Sequence, residues 1–188
     1  TRYPQGAEKQ MIQAVTGRQV PGGKLPADVG CAVFNVDTTA AIYRAVTTGM
    51  PLIRRIVTVT GSGTNEPKNL EVRVGTPLKC VFDACGGVKE NTFKILMGGP
   101  MMGLALMDDE LPVLKQNNAI LAFSQEDAAV DPITPCIRCG RCVAACPMQL
   151  MPTDIARAYS AKDVDAMKRL DVATCMECGS CTWLVQMR

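Results

Sequence analysis

Histidine is absent from the 188-residue sequence. That excludes imidazole acid–base catalysis, Rieske-type ligation and Cys2His2 zinc sites together. Aromatic residues are scarce, at 4%, which leaves few platforms for stacking the bases of a single-stranded nucleic acid. Neither sign of charge dominates: 20 Lys and Arg against 18 Asp and Glu give a formal net charge of +2. The basic footprint of a nucleic-acid or anionic-membrane binder is therefore missing, and no nucleic-acid partner is expected. No apolar run approaches the roughly 18 residues of a spanning helix. The opening "TRYPQGAEKQ" has neither an initiating Met nor the apolar segment of a signal peptide. The expectation is a fragment of a longer chain working in a reducing compartment. The sequence is nonetheless 47% hydrophobic, enough for the cores of one or two domains.

Cysteine is what the sequence has in excess: ten residues, seven of them between positions 136 and 181. In a reducing setting, clustered thiols point to a metal rather than to disulfides. "CIRCGRCVAACP" begins at Cys136 and "CMECGSCTWLVQMR" at Cys175, so C-x-x-C-G-x-C occurs twice. A zinc ribbon uses knuckles of two cysteines each. Here each group offers a third cysteine, and the first extends to C-x2-C-x2-C-x3-C-P, the bacterial ferredoxin run whose fourth Cys ligates the other cluster. That rule assigns Cys136, Cys139 and Cys142 to one 4Fe-4S cluster, and Cys146, Cys175, Cys178 and Cys181 to a second. Gly140 and Gly179 allow tight turns beside sulfur, and Pro147 stops a helix from running through Cys146. The fourth ligand of the first cluster falls at position 185, which is Val. Three readings compete: a stretch omitted from the sequence, a water or carboxylate at the open corner, or a three-iron cluster. Arg138 and Arg141 in the first motif and Glu177 in the second predict a higher potential for the first cluster, because reduction adds negative charge.

Upstream, "AEKQMIQAVT" (7–16) reads as a helix ended by Gly17, and "RQVPGGKLPAD" as a loop. "VGCAVFNV" (29–36) suits a buried strand, and Asp37 or Thr38 caps a helix closed by Gly49. "RRIVTVTG" (54–61), "NLEVRVG" (69–75), "TFKILMGG" (92–99) and "AILAFS" (119–124) read as strands. A helix between the second and third has Thr76 as N-cap and Pro77 at its first position. Strand, strand, helix, strand resembles a β-grasp unit. Two short helices follow in "TDIARAYS" and "AKDVDAMKRL". Cys31, Cys80 and Cys85 are expected to be buried small hydrophobes.

The cysteine region, taken with "YPQGAEKQ", "LPADVG", "PLIRRIVTVTG" and "GGPMMG", resembles the RnfC family, the C components of Rnf (Rsx) electron-transport complexes. The resemblance implies an α+β fold in three parts. They are the end of an α/β flavoprotein-like domain (1–52), a β-grasp (SLBB-like) domain with its connector (53–126) and a two-cluster ferredoxin-type α-helical domain (127–188). It further implies FMN and NAD as cofactors beside the two 4Fe-4S clusters. Implied partners are the other subunits of a membrane complex, NAD(H), and ferredoxin or another electron carrier. Implied location is peripheral, on the cytoplasmic side of the bacterial inner membrane, in a complex that pumps Na+ or H+. The implied role is single-electron transfer. "YPQGAEK" resembles a stretch near the flavin and points to Tyr3, Gly6 and Glu8; "FNVDT" resembles a flavin-phosphate segment and points to Asn35 and Thr38. The family's glycine-rich flavin loop is not in this sequence. Family members continue past the second motif with a "CP" pair, whereas "CTW" here runs into "LVQMR", which favours the omission at position 185. Alternatives are the related cobalamin reductase of bacterial microcompartments and a non-redox binding module with a structural zinc tail.

Overall fold

The computed structural model describes residues 2–129, 132 and 134–184. In chain order the helices are α1 (Glu8–Thr16), α2 (Val36–Thr48), α3 (Leu78–Asp83), α4 (Gln125–Ala128), α5 (Arg141–Ala145), α6 (Pro152–Ser160), α7 (Val164–Arg169) and α8 (Ser180–Leu184). The strands are β1 (Arg54–Thr60), β2 (Lys68–Arg73), β3 (Thr92–Met97), β4 (Leu104–Leu106) and β5 (Ala119–Ser124). The chain divides into two compact units, Phe34–Val130 on the one hand and Thr1–Val33 with Asp131–Arg188 on the other.

In the first of these the strands form one mixed sheet, ordered β2-β1-β5-β3-β4. β1 pairs antiparallel with β2, with Val57 opposite Leu70, and parallel with β5, with Val59 opposite Ile120. β3 pairs antiparallel with both β4 and β5. A hairpin, a helix and a returning strand laid parallel to the first is the β-grasp arrangement. The alternation in β1 turns Arg55, Val57 and Val59 to the buried side, as a period of two requires. Val57 and Val59 meet Leu78, Val81 and Phe82 of α3, with Val113, Ile120 and Ala122 completing the core. Burying side chains of the Leu and Phe class stabilises by about 1.5–3 kcal/mol each, so this cluster holds helix to sheet. At the end of β1 the chain turns through Gly61, at φ +110°, where a Cβ would collide with the Ala122 carbonyl. Only glycine fits that close approach.

Several expectations need correction. Residues 29–36 are not a strand. Pro26–Val29 form a 3-10 turn closed by Gly30 at φ 68°, the next residues are irregular, and Phe34 and Val36 are exposed. An apolar run becomes a strand only when a neighbour accepts its backbone bonds, and no ladder among the described residues includes it. The N-cap of α2 is Asn35, whose Oδ1 accepts from the Asp37 N–H at 3.0 Å, rather than Asp37 or Thr38. Pro77 occupies the N-cap position of α3 and no side chain caps that helix, so Thr76 does not. Cys80 is exposed on α3 and Cys31 is half-buried outside any strand, while Cys85 is buried as expected.

In the other unit α1 ends at Gly17, which takes the left-handed conformation and donates to the Gln13 carbonyl, as read from the sequence. α6 begins at Pro152, one residue before the expected Thr153, and Asp163 caps α7 by accepting from the Ala166 N–H at 2.8 Å. α5 and α8, the two helices that carry the cysteine motifs, pack against each other. Among the described residues no helix is long and apolar enough to cross a membrane.

Candidate metal centre

The two cysteine motifs fold alike. In the first, Arg138 has φ 56° and Gly140 φ 73°; in the second, Glu177 has φ 54° and Gly179 φ 73°. Both therefore turn left-handed at the same two places, and both then enter a helix of five residues, α5 or α8. Left-handed backbone costs a non-glycine residue about 1–3 kcal/mol unless its surroundings enforce it, so a conformation taken twice at matched positions reflects a shared demand. In the first motif this turn aims a main-chain N–H at sulfur: the Arg138 N–H donates to Cys136 Sγ at 3.4 Å. Beyond the turns, the Leu150 N–H donates to Cys146 Sγ at 3.4 Å.

Cys142 is 5% exposed and Cys178 8%. These are the third and second cysteines of their motifs; Cys142 is the second residue of α5 and Cys178 lies two residues before α8. Cys139 and Cys175 are exposed, and Cys136, Cys146 and Cys181 are half-buried. The seven side chains separate into two groups. Cys136, Cys139 and Cys142 line a cavity of about 580 Å³, whose wall also holds Arg138, Arg141 and Arg157. Cys175, Cys178 and Cys181 line another of about 420 Å³, and Cys146 lines it too. Cys146 reaches that second cavity because α5 stops at Ala145 and the backbone at Cys146 is extended (ψ 115°).

The donor set suits soft, polynuclear ligation: thiol groups, N–H groups turned toward sulfur, and apolar lining from Leu150, Ile155 and Val172 in the second cavity. Among the described residues no three Cys, Asp or Glu side chains close on one point as around a single ion. A four-iron cube holds its thiolates at separate corners, so the cavity is the relevant measure of fit. The first cavity is lined by three cysteines. Val185, where the motif spacing calls for a fourth ligand, lies outside the described residues.

The five residues assigned to flavin by resemblance fall in the two different units. Tyr3 and Gly6 lie in the turn before α1, and Glu8 is its first residue, where a carboxylate complements the helix dipole. The Tyr3 hydroxyl donates to the Cys178 carbonyl at 2.5 Å. Its acidity is lowered, first by burial and then by the neighbouring Cys178, both of which raise the phenol pKa. Asn35 and Thr38 stand at the start of α2, already engaged: Asn35 as the cap, and Thr38 Oγ1 as acceptor from the Arg55 guanidinium at 3.0 Å. Arg55 itself is a residue that motif reading misses. It is 3% exposed, pairs with Asp37 at 3.1 Å and donates to the Asn117 carbonyl at 3.4 Å. A signal for it exists, since "RIVTVT" places Arg55 in phase with the buried Val57 and Val59.

Comparison with known proteins adds three family matches. Residues 1–44 match the Nuo51 FMN-binding domain, 56–105 the SLBB domain and 129–183 the 4Fe-4S dicluster domain. The chain is 51% identical over 153 residues to the C component of the proton-translocating ferredoxin:NAD(+) oxidoreductase complex of Clostridium ljungdahlii, covering 81% of this chain and 34% of that protein. It is 45% identical over 164 residues to the Na(+)-translocating counterpart of Acetobacterium woodii, covering 87% and 37%. To the C component of the ion-translocating oxidoreductase complex of Rhodobacter capsulatus it is 41% identical over 170 residues, covering 90% and 33%. The chain thus spans about a third of the length of these relatives.

Proposed function

Because this chain belongs to the RnfC family, the C components of ion-translocating ferredoxin:NAD(+) oxidoreductase complexes, we propose that it is an electron-transfer module of such a complex. The observation that carries the reading is the division of seven cysteines between two cavities, with Cys146 crossing from the first motif to complete four thiols around the second. Cys136, Cys139 and Cys142 hold one 4Fe-4S cluster, and Cys146, Cys175, Cys178 and Cys181 hold the other. When bound, these clusters supply one-electron transfer at potentials set by charge, hydrogen bonding and exposure. The chain's own contribution is to orient the thiols, with N–H donors such as those of Arg138 and Leu150 directed at the sulfurs. No acid or base is required of it, which agrees with a sequence devoid of histidine.

Tyr3, Gly6, Glu8, Asn35 and Thr38 belong to the segment that matches an FMN-binding domain, and that match supports their reading as flavin contacts. The partners under this reading are the other subunits of the complex, NAD(H) and a ferredoxin-type carrier. Attachment is peripheral, on the cytoplasmic face of the membrane. All three relatives are named as the C component of such a complex, which favours this reading over a microcompartment cobalamin reductase. Serine substitutions test the ligand assignment. Cys142→Ser should remove the signal of the first cluster and leave the second, and Cys146→Ser should do the reverse. Loss of both signals together from Cys146→Ser, with the fold intact by circular dichroism, contradicts the division into two sites.

A further inference from the structure

The geometry points to Tyr3 as a positioning residue for the second cluster, acting through the main chain of Cys178. The inference rests on the reading of Cys178 as a cluster ligand. Tyr3 stands 175 residues from Cys178, yet its hydroxyl meets the Cys178 carbonyl oxygen at 2.5 Å. The contact belongs to a wider seam. Gln10 Nε2 lies 3.2 Å from Met148 Sδ, and a Cβ added at Gly22 would come into van der Waals contact with the Thr174 methyl group. The N-terminal segment is thus fastened to both chain stretches that form the second cavity, beside Cys146 and beside Cys175–Cys181.

The Tyr3 bond differs from the rest of the seam in what it touches. The Cys178 carbonyl and the Gly179 N–H are two ends of one peptide group, and Gly179 occupies the left-handed position (φ 73°) of the second motif. A donor on the carbonyl polarises that peptide and makes its N–H more positive, since hydrogen bonds in series strengthen one another. Reduction adds one electron and hence one negative charge, so a more positive N–H favours the reduced state and raises the potential. Of the two motifs, the second has this donor: among the described residues the hydrogen bonds of the Arg138–Gly140 turn include no side-chain donor to the Cys139 carbonyl.

The test uses the intact protein, purified anaerobically, in a redox titration at pH 7 followed by EPR, with iron content measured in parallel. Tyr3→Phe should retain the iron of the parent and shift the second cluster alone to a more negative potential. The reduced-to-oxidised ratio at a fixed potential should fall by at most roughly tenfold, the scale of one hydrogen bond. Site-specific 3-fluorotyrosine at position 3, a stronger donor of the same shape, should shift that cluster upward. A role in packing alone predicts no upward shift. An unmoved second-cluster potential in both proteins overturns the inference, and so does an equal shift of both clusters. If Tyr3→Phe loses the second cluster altogether, the fluorotyrosine protein decides by the same criterion. A parent protein without iron overturns the ligand assignment itself, which the iron measurement distinguishes from failure of the Tyr3 bond.

Discussion

Replacing Asp37 by Asn should destabilise the sheet unit far more than any change at the neighbouring arginine pair. Arg55 points into the buried side of β1 at 3% exposure, and Asp37, whose side chain is 20% exposed, is its carboxylate partner at 3.1 Å. The remaining acceptors of the guanidinium are neutral, namely the Thr38 hydroxyl and the Asn117 carbonyl. Asp37→Asn keeps the shape and removes the charge, leaving a cation in the core without a counter-ion. Breaking a buried pair in this way costs about 3–5 kcal/mol. The partial exposure of Asp37 admits water, so the expected loss is about 3 kcal/mol. Arg54 and Glu71, one residue away, form a pair at 3.3 Å with both side chains about half exposed; Glu71→Gln should cost less than about 1 kcal/mol. The double variant Arg55→Met with Asp37→Leu removes both charges and should recover much of the loss. Urea unfolding followed by circular dichroism measures all of these, and a cycle built from Arg55→Met, Asp37→Leu and the pair isolates the coupling. If Asp37→Asn proves no costlier than Glu71→Gln, Arg55 is not held by its carboxylate and the reasoning fails.

Gly61→Ala should destabilise by about 3 kcal/mol or more, because a Cβ there meets the Ala122 carbonyl on a backbone already at φ +110°; the urea midpoint reads the loss. Alkylation with iodoacetamide near pH 8 should label exposed Cys80 well before Cys85. Burial raises the Cys85 thiol pKa, Lys68 opposes and Glu66 reinforces the rise, and less thiolate at a given pH means slower attack. Equal labelling rates by mass spectrometry contradict this. Arg138→Gln should lower the potential of the first cluster and leave the second unchanged, since a cation on the wall of that cavity favours the reduced state; a redox titration showing no change refutes it.

The cysteine spacing is readable because ligation is a local rule: three thiols within seven residues need no knowledge of the rest of the chain to be recognised. The strands of the β-grasp unit are readable for a related reason, as their alternation and β-branched residues reflect a half-buried surface. β4 is not, because Leu104–Leu106 is too short to show a period. α5 and α8 are hidden because five-residue helices follow from the turns at Gly140 and Gly179 rather than from any apolar stripe. "VGCAVFNV" misleads because its composition fits a strand while strand formation depends on a partner. Asn35 cannot be told from Asp37 and Thr38 as the cap of α2, since all three residue types suit the position. Contacts such as Tyr3 with Cys178 and Arg55 with Asp37 join distant stretches or distinct elements, and spacing along the chain carries no information about them.

The central claim is that seven sulfurs hold two iron–sulfur cubes. Iron and acid-labile sulfide, counted per chain on anaerobically purified protein and read with the EPR spectrum of the reduced form, test it most directly. Two cubes predict about eight iron and eight sulfide, with signals from two interacting reduced clusters. A colourless protein holding zinc in place of iron, or thiols paired as disulfides, contradicts it.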